Sequence, residues 1–517
     1  MTFIVVTDAS SADPRALATT GRSLLLSPGV SQWVLVGAHE VSVSPVLRGL
    51  LRLRGVTCAA HLDTAGIAAD SWVCFLPAGD RLAAGAVQRI ATVRGADAVY
   101  GDSRHLVRHD DQLPTFQRRP GFSPQRLRHH DYIGPMIVAR AGHLGTVGDA
   151  AMLARSDSHD RNLRVTEGAA VVVRIPHIVH ETPSESLAPA ASRDAVVAHL
   201  ARTGVAAVVD HDDVSPALRV RRRRTTDPLV SVLIPTRGSS AEIFGRSRTL
   251  VVDAVRSVVE RSTYTNIEFV VVADTETPTG VRDELRRIGG TRLHIIDFDR
   301  PFNFAEKINL GAAHARGDVF LFLNDDTEVI SPDFLETMLA LLDDAQVGLV
   351  GPTLLFEDGT IQSAGHVFSP EPTDLYRGAP ADARGAHDML RVTREVSSVI
   401  AACALTPRAV FESVGGLSTR FPANWNDIDY CLKVWQSGLR VLVTSLAHIH
   451  HFESKTRVPV LVQSEVATLG HRWGHVLDDD PFFNPHLQRY VNVWKTDSTS
   501  PRSYSEALGP TAPIASR

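Results

Sequence analysis

Gly317-Asp-Val-Phe-Leu-Phe-Leu-Asn-Asp-Asp-Thr327 carries an unbroken apolar run, Val319 to Leu323, that ends directly in three polar residues. A short apolar run stopped by turn residues predicts a strand covered on both faces, as in a parallel sheet. Outward from it the same pattern returns. Leu229-Val-Ser-Val-Leu-Ile-Pro235, Ile267-Glu-Phe-Val-Val-Val-Ala273 with Asp274 at its end, and Leu293-His-Ile-Ile296 all read as strands. Thr249 to Val259 and Phe304 to Ala315 have apolar residues at helical spacing, and Gly317 lies just past the second. Strands alternating with helices predict a mostly parallel α/β sheet. Ligands of such sheets collect beyond the carboxyl ends of the strands. Asp274 and Asn324-Asp325-Asp326 stand at two such ends.

A chain of 517 residues exceeds one ordinary core, so two domains are expected. The net charge of −5 provides no basic field, and no nucleic-acid partner is expected. The basic run Arg219 to Arg224, interrupted by Val220, reads as a solvated linker or as a weak contact with anionic lipid headgroups. Cys58, Cys74, Cys403 and Cys431 form no close pair, which argues against a zinc site or a disulfide framework. The first residues lack the basic start of a secretory signal. No apolar run reaches the roughly 18 residues of a membrane span. The expected location is the cytoplasm, or a peripheral position at the inner face of the plasma membrane.

The first half repeats the plan of the second. Asp70-Ser-Trp-Val-Cys-Phe-Leu-Pro-Ala-Gly-Asp80 parallels Asp318 to Thr327, which sets Pro77 against Asn324 and Gly79 against Asp326. Glu167 to His180 parallels Ser437 to His450, pairing Gly168 with Gly438 and His180 with His450. With a one-residue gap, Ser158 falls opposite Asp427. The reading is an internal duplication whose first copy has lost its acidic ligands. The domains expected are a degenerate copy over 1–222, a linker over 223–227, a catalytic unit over 228–457 and a helical or extended tail over 458–517.

Three constellations carry chemistry. Asn324-Asp325-Asp326 offers carboxylate oxygens to a divalent cation, which a diphosphate leaving group needs to offset developing charge. The alternative is a capping cluster for the helix after Ser331-Pro332-Asp333. In Asn426-Asp-Ile-Asp-Tyr-Cys-Leu-Lys433, the spacing of Ile428, Leu432 and Trp435 predicts a helix closed by Gly438. Asp427 and Asp429 then lie in its first turn, either balancing the helix dipole or taking a proton from an attacking hydroxyl. The third is His448-Ile-His450-His451-Phe-Glu453, where one histidine, His451 by preference, would touch metal or diphosphate. Thr236, Asp274, Asn303 and Lys307 are weaker donor-side candidates near strand ends. Asp274 would face a nucleobase. Lys307 would approach phosphate or else lie on a solvated helix face.

Together the segment from Pro228 to Arg457 resembles glycosyltransferase family 2, especially rhamnosyltransferase-like members that build bacterial surface polysaccharide. The matching stretches are Val230-Ser-Val-Leu-Ile-Pro-Thr-Arg237, Pro301 to Asn309, Gly317 to Val329, Ile361-Gln-Ser-Ala-Gly365, Asn426 to Lys433, His451-Phe-Glu-Ser454 and the tail motif Asp480-Pro-Phe-Phe-Asn-Pro485. The resemblance implies two tandem Rossmann-like domains of the GT-A type, the first degenerate. It also implies a divalent metal, Mg2+ or Mn2+, and a single displacement that inverts the anomeric carbon. It makes Asp326 a metal ligand, puts Asn324 and Asp325 near ribose and diphosphate, and Asp274 near the base. Asp427 becomes the catalytic base with Asp429 in support, and His451 a metal or diphosphate contact. Two departures stand out: the acidic motif begins with Asn324, and Phe452 separates His451 from Glu453. Ala98-Val-Tyr-Gly-Asp102 and Asp131-Tyr-Ile-Gly134 resemble the family as well, without the ligands. The implied partners are a nucleotide-sugar donor, dTDP-rhamnose first and a UDP-sugar next, and a glycan or lipid-linked glycan acceptor. The competing expectation is a non-catalytic nucleotide-sugar- or carbohydrate-binding protein with a relic fold.

Overall fold

Val230-Ser-Val-Leu-Ile-Pro-Thr236 is buried along its whole length and becomes a central strand of the second of two large sheets. The computed structural model describes residues 2–37, 56–59, 66–106, 115–183, 192–368, 371–453, 462–488 and 492–495. The first sheet is built from β1 (Phe3–Asp8), β2 (Gln32–Val36), β3 (Val56–Ala59), β4 (Trp72–Phe75), β5 (Arg81–Leu82), β6 (Ala98–His105), β7 (Thr115–Gln117), β8 (Ile137–Arg140) and β9 (Val172–Thr182). A hairpin of β10 (Ala207–His211) and β11 (Leu218–Arg222) follows. The second half contributes β12 (Val230–Thr236), the hairpin β13 (Ser240–Ile243) and β14 (Arg246–Thr249), β15 (Ile267–Asp274), β16 (Leu293–Phe298), β17 (Val319–Leu323) and β18 (Thr327–Val329). It continues with β19 (Val347–Leu355), β20 (Ile361–Ser363), β21 (His366–Phe368), β22 (Pro372–Asp374), β23 (Arg394–Glu395), β24 (Cys403–Pro407) and β25 (Arg440–His451).

The two sheets have one topology. The first runs β3-β2-β1-β4-β8-β6-β9-β5 with β7 on β6, and the second runs β16-β15-β12-β17-β24-β19-β25-β18 with β20 on β19. Corresponding pairs agree in direction. β1 is parallel to β2 and β4 as β12 is to β15 and β17. β8 is antiparallel to β4 and β6 as β24 is to β17 and β19. β6 and β9 are parallel with a slipped register, as are β19 and β25. Along its main path each sheet is therefore mostly parallel, as the sequence pattern suggested, interrupted by one antiparallel strand, β8 or β24, and ended by another, β5 or β18. Parallel neighbours need crossover connections, and helices supply them between the first strands of each sheet.

The repeat corrects one alignment. Leu82 pairs with His180 and Glu328 with His450. Counting back along each strand sets Asp80, not Gly79, opposite Asp326. The first copy thus keeps one acid, and Asp80 Oδ2 lies 2.7 Å from His180 Nε2 with both side chains buried. The rest of its carboxyl edge is filled. Asp131, fully buried, accepts from Ser158 Oγ at 2.6 Å and Asn162 Nδ2 at 2.7 Å. Arg119, 1% exposed, fills the space beside it and donates to Gly101 O, Ser103 Oγ and Tyr132 O.

The arginine run is not simply a solvated linker. Arg219 to Arg222 belong to β11, and Arg221, Arg222 and Arg224 pair with Asp210, Asp344 and Asp227. Those carboxylates offset much of the charge a lipid headgroup would meet.

The halves meet through buried polar contacts. Glu395 on β23 accepts from Ser123 Oγ and from Gln125 N at 3.2 Å, and Arg440 Nη1 stands 2.9 Å away. His387 Nε2 lies 2.9 Å from Arg118 O, and Arg391 pairs with Asp212 at 2.9 Å. The tail motif threads between the domains. Asp480 accepts from Ser397 Oγ and Phe368 N, both at 2.6 Å, while Asn484 donates to Asp102 at 3.0 Å and to Arg119 O at 3.0 Å. An added Cβ on Gly121 would lie 1.9 Å from Pro481 O, so only glycine admits the tail there. Removing one partner of a buried charged pair costs about 3–5 kcal/mol. Glu395→Ala is therefore expected to lower unfolding stability by about that amount in calorimetry. Residues 226–517 expressed alone are expected to be poorly soluble and to melt lower than the full chain.

Candidate functional site

Four strand ends and one helix start converge at the carboxyl edge of the second sheet. β12 ends at Thr236, β15 at Asp274, β17 just before Asn324, and β25 at His451. The helix Asn426–Gln436 faces them. Ala401 and Ala402 link the strand ends to the helix: Ala402 O accepts from Asn324 N at 2.9 Å, and the Ala401 amide reaches the Asp427 carboxylate.

Asn324-Asp325-Asp326 occupies the turn between β17 and β18 and does not cap the next helix, which starts at Phe334 with Asp333 before it. Thr236 Oγ1 donates to Asp325 Oδ2 at 2.6 Å. Burial, and then the charge of Asp326, push Asp325 up to about 7. Burial would raise Asp326 as well, but the His451 imidazole, with Nε2 3.3 Å from Oδ1, outweighs it and holds Asp326 below the usual carboxylate range. His451 is raised in turn, because the Asp326 charge overcomes the lowering effect of burial.

The tautomer of His451 follows from its neighbours. Gln362 Nε2 donates to Glu453 Oε2 at 3.1 Å, so its Oε1, 2.7 Å from His451 Nδ1, accepts the Nδ1 proton. Nε2 then points at Asp326, with Asn324 Nδ2 at 3.2 Å. Holding the remote nitrogen fixes the ring and raises its basicity as a ligand.

Among the described residues no three His, Cys, Asp or Glu side chains are grouped to hold a metal ion. The pair Asp326 and His451 nevertheless fits a cation that takes the rest of its ligands from a diphosphate and water, the usual manner of Mg2+. Asn324 Oδ1 is buried without a hydrogen-bond donor, and Asp326 Oδ1 faces His451 Nε2 at 3.3 Å. Of the three histidines His451 is the one turned to the acids. His450 Nδ1 lies 2.9 Å from Phe356 O, and burial pulls His448 down to about 4. A cavity of about 530 Å3 opens beside His451, lined also by Phe244 of the β13–β14 hairpin and by Glu357 and Glu453. A larger one of about 760 Å3 lies behind that hairpin, among Arg248, Asp253 and Arg256 and away from the acids.

Several residues sit where the sequence did not put them. Lys307 is neither on a solvated helix face nor free for phosphate. It is 1% exposed, pairs with Asp274 Oδ1 and donates to Thr236 O at 2.8 Å, so it braces two strand ends from beneath. Asn303 caps the helix Phe304–His314, accepting from Glu306 N at 3.1 Å, and its amide holds Thr419 O at 3.0 Å. Asp429 is fully buried and turned away from the acids, toward the helix Gln463–Leu477. Trp473 Nε1 donates to it at 2.9 Å and Arg472 Nη1 stands at 3.0 Å. It cannot meet a substrate and instead anchors the helix that carries Asp427.

Asp427 is the acid of that helix that faces the strand ends. It accepts from Ile428 N at 2.8 Å, and burial raises it above the ordinary carboxylate range. Trp425, just before the helix, has a φ of +62°, a strained conformation of the kind that collects at functional sites. Glu465 holds the approach to it, accepting from Ala423 N at 2.9 Å and Asn424 Nδ2 at 2.7 Å. Sequence reasoning missed Gln362, Glu465 and His366. Gln362 and His366 had a signal, since both lie in or beside the Ile361–Gly365 stretch.

This arrangement can hold a divalent cation at one edge and place a proton acceptor at the other. The family model "Glycosyl transferase family 2" matches residues 231–415, within the second domain. Among proteins similar to this chain is the O-antigen biosynthesis protein RfbC of Myxococcus xanthus, 29% identical over 495 residues, which cover 88% of this chain and 38% of that protein. Another is the uncharacterized protein y4gI of Sinorhizobium fredii, 33% identical over 313 residues, 57% of this chain and 33% of that one. The chain thus spans little more than a third of the length of these relatives. Solved structures with weaker likeness include GalNAc-T7 with UDP, GalNAc and Mn2+, at 15% identity, TM-score 0.38, 49% of this chain and 50% of that chain. The mannosyltransferase PcManGT of Pyrobaculum calidifontis with GDP-Man and Mn2+ gives 18%, 0.32, 45% and 59%.

Loss of a partner that orients a metal ligand typically weakens metal affinity about 10- to 100-fold. Gln362→Leu is expected to weaken Mn2+ binding, measured by calorimetry with nucleoside diphosphate present, by about that factor. Asp326→Ala is expected to remove cation-dependent nucleotide binding. Asp80→Ala should leave it unchanged and lower only the melting temperature.

Proposed function

We propose that the second domain transfers a sugar from a nucleoside-diphosphate donor to a hydroxyl of a glycan or lipid-linked glycan, in the assembly of bacterial surface polysaccharide. The transfer is a single displacement on a GT-A-type fold and inverts the anomeric carbon. The observation that carries this reading is the pairing of Asp326 and His451 on one side of the Ala401–Ala402 segment with Asp427 on the other. When bound, Mg2+ or Mn2+ at Asp326 and His451 supplies positive charge to the departing diphosphate. Thr236, Asn324 and Asp325 line the way to ribose and diphosphate, and Asp274, braced by Lys307, faces the nucleobase. Asp427 takes the proton of the acceptor hydroxyl as that oxygen attacks the anomeric carbon from the side opposite the diphosphate. Burial raises its affinity for that proton. Asp429 supports it by fixing the helix. Most of the rate comes from placing the reactants in line and offsetting charge at the leaving group.

The donor proposed first is dTDP-rhamnose, then a UDP-sugar. The first domain, with its carboxyl edge filled by Arg119 and the Asp131 network, has no catalytic part and shapes the acceptor side through the tail. The protein works in the cytoplasm, free or peripherally at the inner face of the plasma membrane. None of the helices among the described residues is long and apolar enough to cross a membrane.

Nucleoside diphosphate release, followed across a panel of nucleotide sugars with acceptor glycolipid, tests the reading. A positioned general base contributes about 10²- to 10⁴-fold. Asp427→Asn should lose about that factor in turnover while donor affinity by calorimetry stays within about twofold. Normal turnover in this variant would move the base elsewhere.

A further inference from the structure

His366 opens β21 directly after Gly365, is 7% exposed, and has no part in the mechanism above. Its ring is held at both nitrogens. Nδ1 lies 2.8 Å from Ser398 Oγ, and Nε2 lies 3.5 Å from Asp374 Oδ2. Its backbone amide donates to Ser398 O at 2.8 Å. Gly365 makes this crossing possible. Its φ is +82°, and a Cβ there would lie 2.7 Å from Val396 Cγ1. The histidine is thus locked against the segment that leads through Val399 to Ala401. Val399 N donates to Cys431 Sγ in the Asp427 helix, and the Ala401 amide reaches Asp427 itself. The imidazole and the carboxylate therefore face one short stretch of backbone.

The charged groups around the ring come from three elements. Asp374 belongs to β22, Asp427 to the helix start and Arg377 to the turn after β22. Arg377 pairs mainly with Glu453, at 2.7 Å, and more loosely with Asp374, at 3.8 Å, where it opposes the imidazolium. Asp480 stands one residue along, on the hydroxyl of Ser397. Burial disfavours the imidazolium, but the charge of Asp374 and then that of Asp427 outweigh it and raise His366 above its ordinary value. The effect is mutual: burial raises Asp427, and His366 is the strongest influence opposing that rise.

We propose that His366, held as an imidazolium between Ser398 and Asp374, is a positioning residue for the transfer reaction: its charge keeps the Asp427 carboxylate ionised and able to accept the proton of the acceptor hydroxyl. In the step itself the acceptor oxygen bonds to the anomeric carbon. The bond from that carbon to the diphosphate oxygen breaks, with its electron pair leaving on the diphosphate. The hydroxyl proton passes to Asp427, and His366 keeps its own proton throughout. The device rests on the reading of Asp427 as the base.

Two measurements on the full-length protein test the inference. The first needs no substrate. In protein labelled at the histidine rings, the resonance of His366 is identified by its loss in His366→Gln and followed against pH. It should titrate above its ordinary value in the parent. In Asp427→Asn, and again in Asp374→Asn, it should titrate about one pH unit lower, equivalent to about tenfold in proton affinity. A titration unmoved by Asp427→Asn means that the two groups do not share charge and overturns the inference, whatever the protein catalyses. The second is the pH profile of kcat/KM for nucleoside diphosphate release. The acid limb should move up by about one pH unit in His366→Gln, so that rate falls by a factor approaching about tenfold on the acid side of the parental limb, with donor KM unchanged. Rate lost evenly across pH would mean a merely structural role and would also overturn it. If the parent releases no nucleoside diphosphate with any donor, the transferase reading has failed and the inference falls with it. If the parent is active and the His366→Gln profile is parental, the inference alone has failed.

Discussion

Burying several carboxylates together is the constraint on which the second domain turns. Asp325, Asp326 and Asp427 all lose water, and burial pushes each toward its neutral form; a neighbouring group limits that push at Asp325 and Asp427 and overcomes it at Asp326. The compensation is specific at every position. His451 answers Asp326, the Thr236 hydroxyl answers Asp325, and His366 answers Asp427. Asp274, at the next strand end, is matched by Lys307. The compensating groups come from strands, helices and loops far apart in the chain, so the acids hold the architecture in register as much as the architecture holds the acids. A buried charge whose partner is displaced is strongly destabilising, which makes a half-formed site worse than none.

The first domain shows the other solution to the same geometry. Its sheet has the strand order and directions of the second, yet its carboxyl edge is closed. Arg119 fills the space, and Asp131 spends its oxygens on Ser158, Asn162 and the Gly134 amide. A sheet needs its apolar strands to fold, but it does not need an open edge. The first sheet fills that edge with packing, and the second lines it with acids.

What could be read from sequence was what is local. Strands ending in acids, a helix begun by acids, and a histidine cluster after a strand are patterns within a few residues, and β12, β15, β17 and the helix Asn426–Gln436 formed where the patterns put them. Roles set by distant partners were not legible. Asp429 looks like the twin of Asp427, but Trp473 and Arg472, on a helix some 44 residues later, turn it inward. Lys307 looks exposed by spacing and is buried by Asp274. The misplacement of Asp80 has a similar origin. The turn from β4 to β5 holds Leu76 to Asp80, while that from β17 to β18 holds only Asn324 to Asp326. Turns absorb insertions that strands cannot, so an alignment anchored on the apolar run drifted through the turn.

The tail between the domains has a consequence for how the protein is made. Asp480 holds Phe368 and Ser397, the neighbours of His366 and Ser398, while Asn484 is enclosed by Asp102 and Arg119 of the first domain. During synthesis both sheets leave the ribosome before these residues do, and domains fold as units from the amino terminus. The first domain and the strands of the second can assemble early, but the wall beside Asp427 has to wait for a segment that emerges after them. A nascent chain stalled short of Asp480 would carry the strands of both sheets and an unfinished wall beside Asp427.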